Sequence, residues 1–168
     1  MAYFDEMALD ELLRQEGHAC ACGREHKTGL QFLRIGSGVI AAVPEALAFL
    51  GRRKPFLVAD ANTWKAAGQQ VAAILEAHQI PYGKYVFPES RGHIEPDESA
   101  VGSLTMHFDP TCDIALAVGS GVMNDCCRVL AHAAGIGHMV VGTAPSMDGY
   151  ASNSSSMIVD RIKTSLYA

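Results

Sequence analysis

The run DIALAV at 113–118, followed at once by Gly119-Ser120-Gly121, constrains this chain more than any other stretch. Its apolar residues leave no polar face, which is the pattern of a strand buried on both sides of a parallel sheet. The glycines then permit a tight turn, and VMNDCCRVLAHAA carries neither glycine nor proline and reads as a helix to about residue 134. The same order recurs along the chain. PFLVA at 55–59 is a second buried strand ending at Asp60, and Asn62 can cap a helix continuing to about His78. A strand is expected over 82–87, a helix over 97–107, and a strand over 138–141 followed by a polar loop, 142–156. Upstream, a strand over 30–35 precedes a helical pattern over 39–50, with Gly51 where a C-cap glycine belongs. Asp5 can cap a short helix to about residue 15, and residues 157–168 read as extended. Strands alternating with helices over short connections predict an α/β fold, a Rossmann-like parallel sheet with helices on both faces.

Composition agrees with one buried core. The chain has 168 residues, 49% hydrophobic and only 18% charged, a single-domain length at which a core can form unaided. Three segments are expected: an N-terminal helix and Cys-rich loop (1–29), the Rossmann-like domain (30–156) and an extended tail (157–168). Thirteen Lys and Arg against eighteen Asp and Glu give a net charge of −5, and the longest basic run is Arg52-Arg53-Lys54. That removes the electrostatic footprint of a nucleic-acid binder. The acidic, amphipathic N-terminus is not a signal peptide, and no apolar run reaches membrane-spanning length. Five cysteines without a secretion signal argue against a disulfide framework. A cytoplasmic protein without nucleic-acid or membrane partners is the expectation.

Three loops at the carboxyl ends of the strands carry the candidate chemistry. At Gly119, Ser120 and Gly121, unpaired helix-start amides and the helix dipole favour an anion such as a pyrophosphate. Asn124 and Asp125 follow in what reads as the first turn. Asp125 opposes a phosphate, so it either faces a hydroxyl or complements the dipole. Asp60 ends a neighbouring strand, where a carboxylate takes a ribose hydroxyl in dinucleotide folds or caps the following helix. Both readings stand. In the last loop, Thr143 and Ser146 offer hydroxyls, and Asp148 offers a hard oxygen for a metal or a polar substrate.

VGSGVMND (118–125) and VGTAPSMDGYAS (141–152), with CACGREH (20–26) and VADANTW (58–64), closely resemble the sn-glycerol-1-phosphate dehydrogenase family, particularly its bacterial branch. That family lies in the superfamily of iron-containing alcohol dehydrogenases, glycerol dehydrogenases and dehydroquinate synthases. The resemblance implies NAD or NADP as cofactor, with Asp60 on the adenine ribose favouring NAD. Gly119, Ser120 and Gly121 would hold the pyrophosphate. Asn62 and Asn124 belong to the cofactor side, and Thr143 and Ser146 line the nicotinamide. Asp125 would lie near the nicotinamide ribose and substrate. Asp148 would be one ligand of a catalytic divalent metal, zinc or nickel, acting as a Lewis acid during hydride transfer. The substrate pair implied is dihydroxyacetone phosphate and glycerol-1-phosphate. A homo-oligomer is expected separately, because an apolar domain face normally covered by helices would be exposed.

Departures accompany the likeness. Arg128 stands where relatives carry Lys, and Asp160-Arg161 replaces an Asp-Gly hairpin turn. Relatives continue into a helical second domain with two further metal-binding histidines, which is expected to be absent here and to leave the chain inactive alone. A non-catalytic paralogue serving assembly or regulation is the alternative. A P-loop hydrolase is disfavoured, because no lysine follows the glycines. Cys20, Cys22 and His26 could ligate zinc with His18 nearby, or simply form a reduced loop. Cys126 and Cys127 suit core packing, and His78, His107, His132 and His138 suit structural roles.

Overall fold

The computed structural model describes residues 7–13, 16–145 and 149–167. Strict alternation inside two apolar runs builds its centre. In β3 (Pro55–Asp60) and β5 (Ile114–Gly119), Phe56, Val58, Ala115 and Ala117 enter one core cluster, and Leu57, Ala59, Leu116 and Val118 enter the other. All eight are fully buried. Neither strand therefore has a solvent face, which explains the unbroken apolar runs. With β4 (Gly83–Phe87) and β6 (Gly137–Gly142) they form a four-stranded sheet of order β4-β3-β5-β6, every neighbouring pair parallel. Asp113 aligns its lower edge, its carboxylate accepting the amides of Arg53 at 2.8 Å and Lys54 at 3.1 Å.

Helices cover both faces, as expected. One face carries α2 (Val43–Phe49) and the helix that leaves β3, which begins as α3 (Ala61–Thr63), passes through a π-helical turn (Trp64–Gly68) and continues as α4 (Gln69–Ala77). The other carries α5 (Glu98–His107) and α6 (Gly121–Ala134). Gly51, at φ +66°, ends α2 as expected: Arg52 N–H reaches Leu47 O at 2.8 Å and Gly51 N–H reaches Ala48 O at 3.1 Å.

Several local expectations change. Residues 30–35 are irregular and not a strand. Leu30 and Leu33 line an apolar cavity of about 430 Å³ with Leu9, Leu12 and Leu13 beside α1 (Leu9–Leu12), and both are only half-buried. Asp5 and Gln15 lie outside the described residues. Asp60, not Asn62, caps the helix after β3. The tail is an antiparallel hairpin, β7 (Ser154–Val159) and β8 (Ile162–Tyr167), so the polar loop after β6 ends earlier than residue 156. The hairpin packs on the α5–α6 side through Met157, Val159 and Leu166. Ahead of the sheet, β1 (His18–Ala19) and β2 (Glu25–His26) form a second small hairpin.

Candidate functional site

From β3 the chain moves outward to β4, then returns across β3 to β5 and on to β6. The strand order thus reverses between β3 and β5. The helices leaving these two strands cover opposite faces, so a crevice opens between their carboxyl ends, where open α/β sheets bind ligands. A cleft of about 420 Å³ lies there, with Asp60 and Asn62 on the β3 side and Ser120, Val122 and Met123 on the β5 side. That volume falls in the range of small-ligand sites.

Asp60 accepts the amides of Asn62 and Thr63, both at 2.8 Å, through Oδ1, and its own N–H donates to Thr63 Oγ1 at 3.0 Å. The carboxylate thus caps a helix while lining the cleft. Ser120 occupies the N-cap of α6, yet its hydroxyl makes no capping bond. The first-turn amides therefore lack the side-chain partner an N-cap usually supplies, and an anion in the cleft would meet the positive end of a 14-residue helix. Gly119 is required for a different reason. A Cβ there would stand 2.6 Å from Met123 Cγ and 2.7 Å from Met123 Cβ, so only glycine lets α6 fold back onto the end of β5. Its carbonyl accepts the amide of Thr143 at 3.1 Å, which joins the loop after β6 to the glycine turn.

Asn124 and Asp125 sit beyond the first turn of α6 and do not line the cleft. Asn124 is fully buried, and its Nδ2 donates to Asp125 Oδ1 at 3.1 Å. Asp125 Oδ2 accepts the amide of Ser156 at 3.2 Å, tying α6 to β7. Burial raises the Asp125 carboxyl above its ordinary value, although Ser156, Asn124 and Arg128 all pull it down. Arg128 completes the knot. Its guanidinium donates to the carbonyls of Ser154 at 2.6 Å, Gly149 at 3.2 Å and Tyr150 at 3.4 Å, and lies 3.8 Å from Asp125. A lysine could not satisfy that many divergent acceptors from one position.

Of the residues singled out in the sequence, the structure brings Asp60, Asn62 and Ser120 onto one cleft; Gly119 and Gly121 flank Ser120, and Thr143, just after β6, bonds to Gly119. Ser146 and Asp148 lie outside the described residues. The sequence reading missed the wall between β4 and α5, which contributes Pro88, Glu89 and His93. Pro88 directly after an apolar strand and Gly92, at φ +69°, were the available signals. An ion pair from Lys65 to Glu89 at 2.5 Å crosses the rim and holds the Glu89 carboxyl below its usual range. The buried thiols behave as the packing reading expects: burial pushes Cys126 up to about 12 and Cys127 well above the ordinary thiol value. Among the described residues, His, Cys and carboxylate side chains converge in threes only at Cys20, Cys22 and His26, away from the cleft.

The family model described as iron-containing alcohol dehydrogenase matches residues 34–168. A glycerol-1-phosphate dehydrogenase, NAD(P)+, of Halalkalibacterium halodurans is 32% identical over 160 residues, covering 92% of this chain and 40% of that protein. Its counterpart from Bacillus velezensis is 33% identical over 129 residues, covering 74% of this chain and 33% of that one. Solved structures share the fold. The alcohol dehydrogenase of Oenococcus oeni aligns at a TM-score of 0.67 and 18% identity, over 79% of this chain and 40% of its own. The NADH-dependent butanol dehydrogenase A of Thermotoga maritima aligns at 0.62 and 16%, over 85% of this chain and 42% of its own. The chain spans 40% or less of the length of these two curated relatives.

Proposed function

The chain belongs to the iron-containing alcohol dehydrogenase family, and from that premise we propose that it is the dinucleotide-binding part of a glycerol-1-phosphate dehydrogenase-like oxidoreductase. The observation that carries the reading is the pairing, on one cleft at the switch point, of the Asp60 carboxylate with a helix start whose N-cap hydroxyl makes no capping bond. Asp60 takes the adenine ribose, with Asn62 beside it, and Gly119, Ser120 and Gly121 take the pyrophosphate. Asn124, Thr143 and Ser146 belong to the nicotinamide side. Asp125 acts near the nicotinamide ribose and substrate, and its bonds to Ser156 and Asn124 set its position. Asp148 serves as one metal ligand. When bound, the nicotinamide supplies or accepts hydride, and a zinc or nickel ion supplies Lewis acidity toward dihydroxyacetone phosphate or glycerol-1-phosphate. The enzyme works in the cytoplasm as a homo-oligomer. On this reading these 168 residues bind the dinucleotide but do not turn over substrate alone, which rests on their spanning 40% or less of the two relatives' length.

Calorimetric titration of the chain with NADH tests the reading, and NADPH should bind more weakly because Asp60 repels a ribose phosphate. Asp60→Asn retains a good N-cap but loses the charge. It should therefore narrow the NADH preference about tenfold, an electrostatic difference of roughly 1.4 kcal/mol, without lowering the melting temperature. No heat with either nucleotide would refute the proposal. Reduction of dihydroxyacetone phosphate by the chain alone would refute its second half.

A further inference from the structure

The β1–β2 hairpin is very short and lies at the surface. Each strand has two residues, paired His18 with His26 and Ala19 with Glu25, and none of the four is buried. Such a hairpin is not stable by itself in water. Its turn is nevertheless sharply specified. Cys20 N–H reaches Arg24 O at 3.0 Å, Gly23 N–H reaches Cys20 O at 3.0 Å, and Gly23 takes φ +78°. Gly17, at φ +82°, lets the incoming strand approach residues 25–27: a Cβ there would lie 3.1 Å from both His26 O and Glu25 Cγ.

What this turn accomplishes is chemical. It gathers the sulfurs of Cys20 and Cys22 and a ring nitrogen of His26 within 4.8 Å of one another, with Cys22 Sγ 3.1 Å from His26 Nε2. A tetrahedral zinc centre with bonds of about 2.0–2.3 Å sets its donors about 3.5–3.8 Å apart, so small rotamer changes close the site. We propose that Cys20, Cys22 and His26 bind a zinc-type divalent cation through two thiolates and an imidazole, as a staple for this hairpin. Two soft sulfurs and an imidazole select zinc over magnesium or calcium. Each thiol releases its proton to solvent as its sulfur–metal bond forms, and neutral His26 supplies the lone pair of Nε2. His18 faces His26 in register, its Nε2 donates to Glu11 O at 3.0 Å and anchors the hairpin to α1, and it is not one of the three converging side chains. In the proposed centre water takes the fourth position. No residue lining the dinucleotide cleft belongs to this site, so the proposal stands apart from the proposed function. A metal here would contribute folding energy to a segment that lacks a core of its own.

Cobalt(II) titration of the reduced chain tests this directly, because a thiolate-to-cobalt charge-transfer band reports sulfur ligation and a carboxylate–histidine site gives none. The band should saturate at one equivalent, vanish in Cys20→Ser/Cys22→Ser and weaken at least tenfold in apparent affinity in His26→Gln. It should survive Cys112→Ala, whose thiol is buried. Zinc should also slow modification of two of the five thiols by a disulfide reagent. No band in the reduced chain, a band that survives the double substitution, or thiol reactivity indifferent to zinc would each overturn the assignment. Because the three side chains lie on an unburied hairpin, the variants should fold.

Discussion

Arg161 shows how one residue can work against its own backbone. Asp160 and Arg161 form the β7–β8 turn at φ +51° and +66°, the geometry that suits Asn-Gly or Asp-Gly. A left-handed conformation costs a residue with a Cβ roughly 1–2 kcal/mol, and glycine gives back about 0.5–1 kcal/mol in chain entropy. Arg161→Gly should therefore stabilise the chain by about 0.5 kcal/mol or somewhat more, read as a higher melting temperature and slower amide exchange in β7 and β8. A lower melting temperature would show that the Arg161 side chain contributes something the turn geometry does not reveal. The departure at this turn was legible in the sequence; that both residues carry positive φ was not, since a longer loop could have absorbed the substitution.

At the scale of elements, the joint between α6 and the segment leading into β7 depends on Arg128. Its side chain is buried and donates to three backbone carbonyls, two in the short turn before β7 and one at the first residue of β7. Removing it takes away the shared donor and leaves the Asp125 carboxylate without its cation, so Arg128→Met should cost about 2–4 kcal/mol in urea unfolding. Arg128→Lys should recover less than half of that, because an ammonium cannot reach all three. Equal stability of Lys and Arg at this position would contradict the joint as described. Helix and strand placement followed from apolar periodicity, whereas this joint did not, because a lone arginine inside a helix carries no sign of which distant carbonyls it will meet. The failed strand over 30–35 has a related cause: an apolar run does not state which partner it meets, and here Leu30 and Leu33 line a cavity beside α1 and stay half-buried.

For the molecule as a whole, acid sensitivity should centre on His138. It lies on β6 with its Nε2 buried and without a hydrogen-bond partner among the described residues, and burial, with Arg128 nearby, lowers its pKa to about 4. The unfolded chain, with a histidine near pH 6.5, binds that proton more readily. The stabilisation is complete above about pH 6.5 and is lost as pH falls toward 4, amounting to roughly 2–3 kcal/mol. Asp125 acts in the opposite direction, since its raised carboxyl takes up a proton more easily when folded and returns some stability in acid. His138→Phe should flatten urea stability between pH 6.5 and 4. An unchanged slope would assign the acid sensitivity to other groups.

By itself, the sequence determined the α/β architecture, the two buried central strands and the glycine turn between β5 and α6. Each rests on local physics: runs with no polar face, short connections, and caps within a few residues of what they cap. Tertiary structure alone decided that Asp60 and Ser120, sixty residues apart, share one cleft with the loop after β4, because strand order is set by packing across the sheet. It also decided that Asp125 bonds to β7, that Arg128 gathers three carbonyls, and that two cysteines and a histidine close on one point. Spacing brought those three residues near one another, but only the backbone of the turn aimed them together.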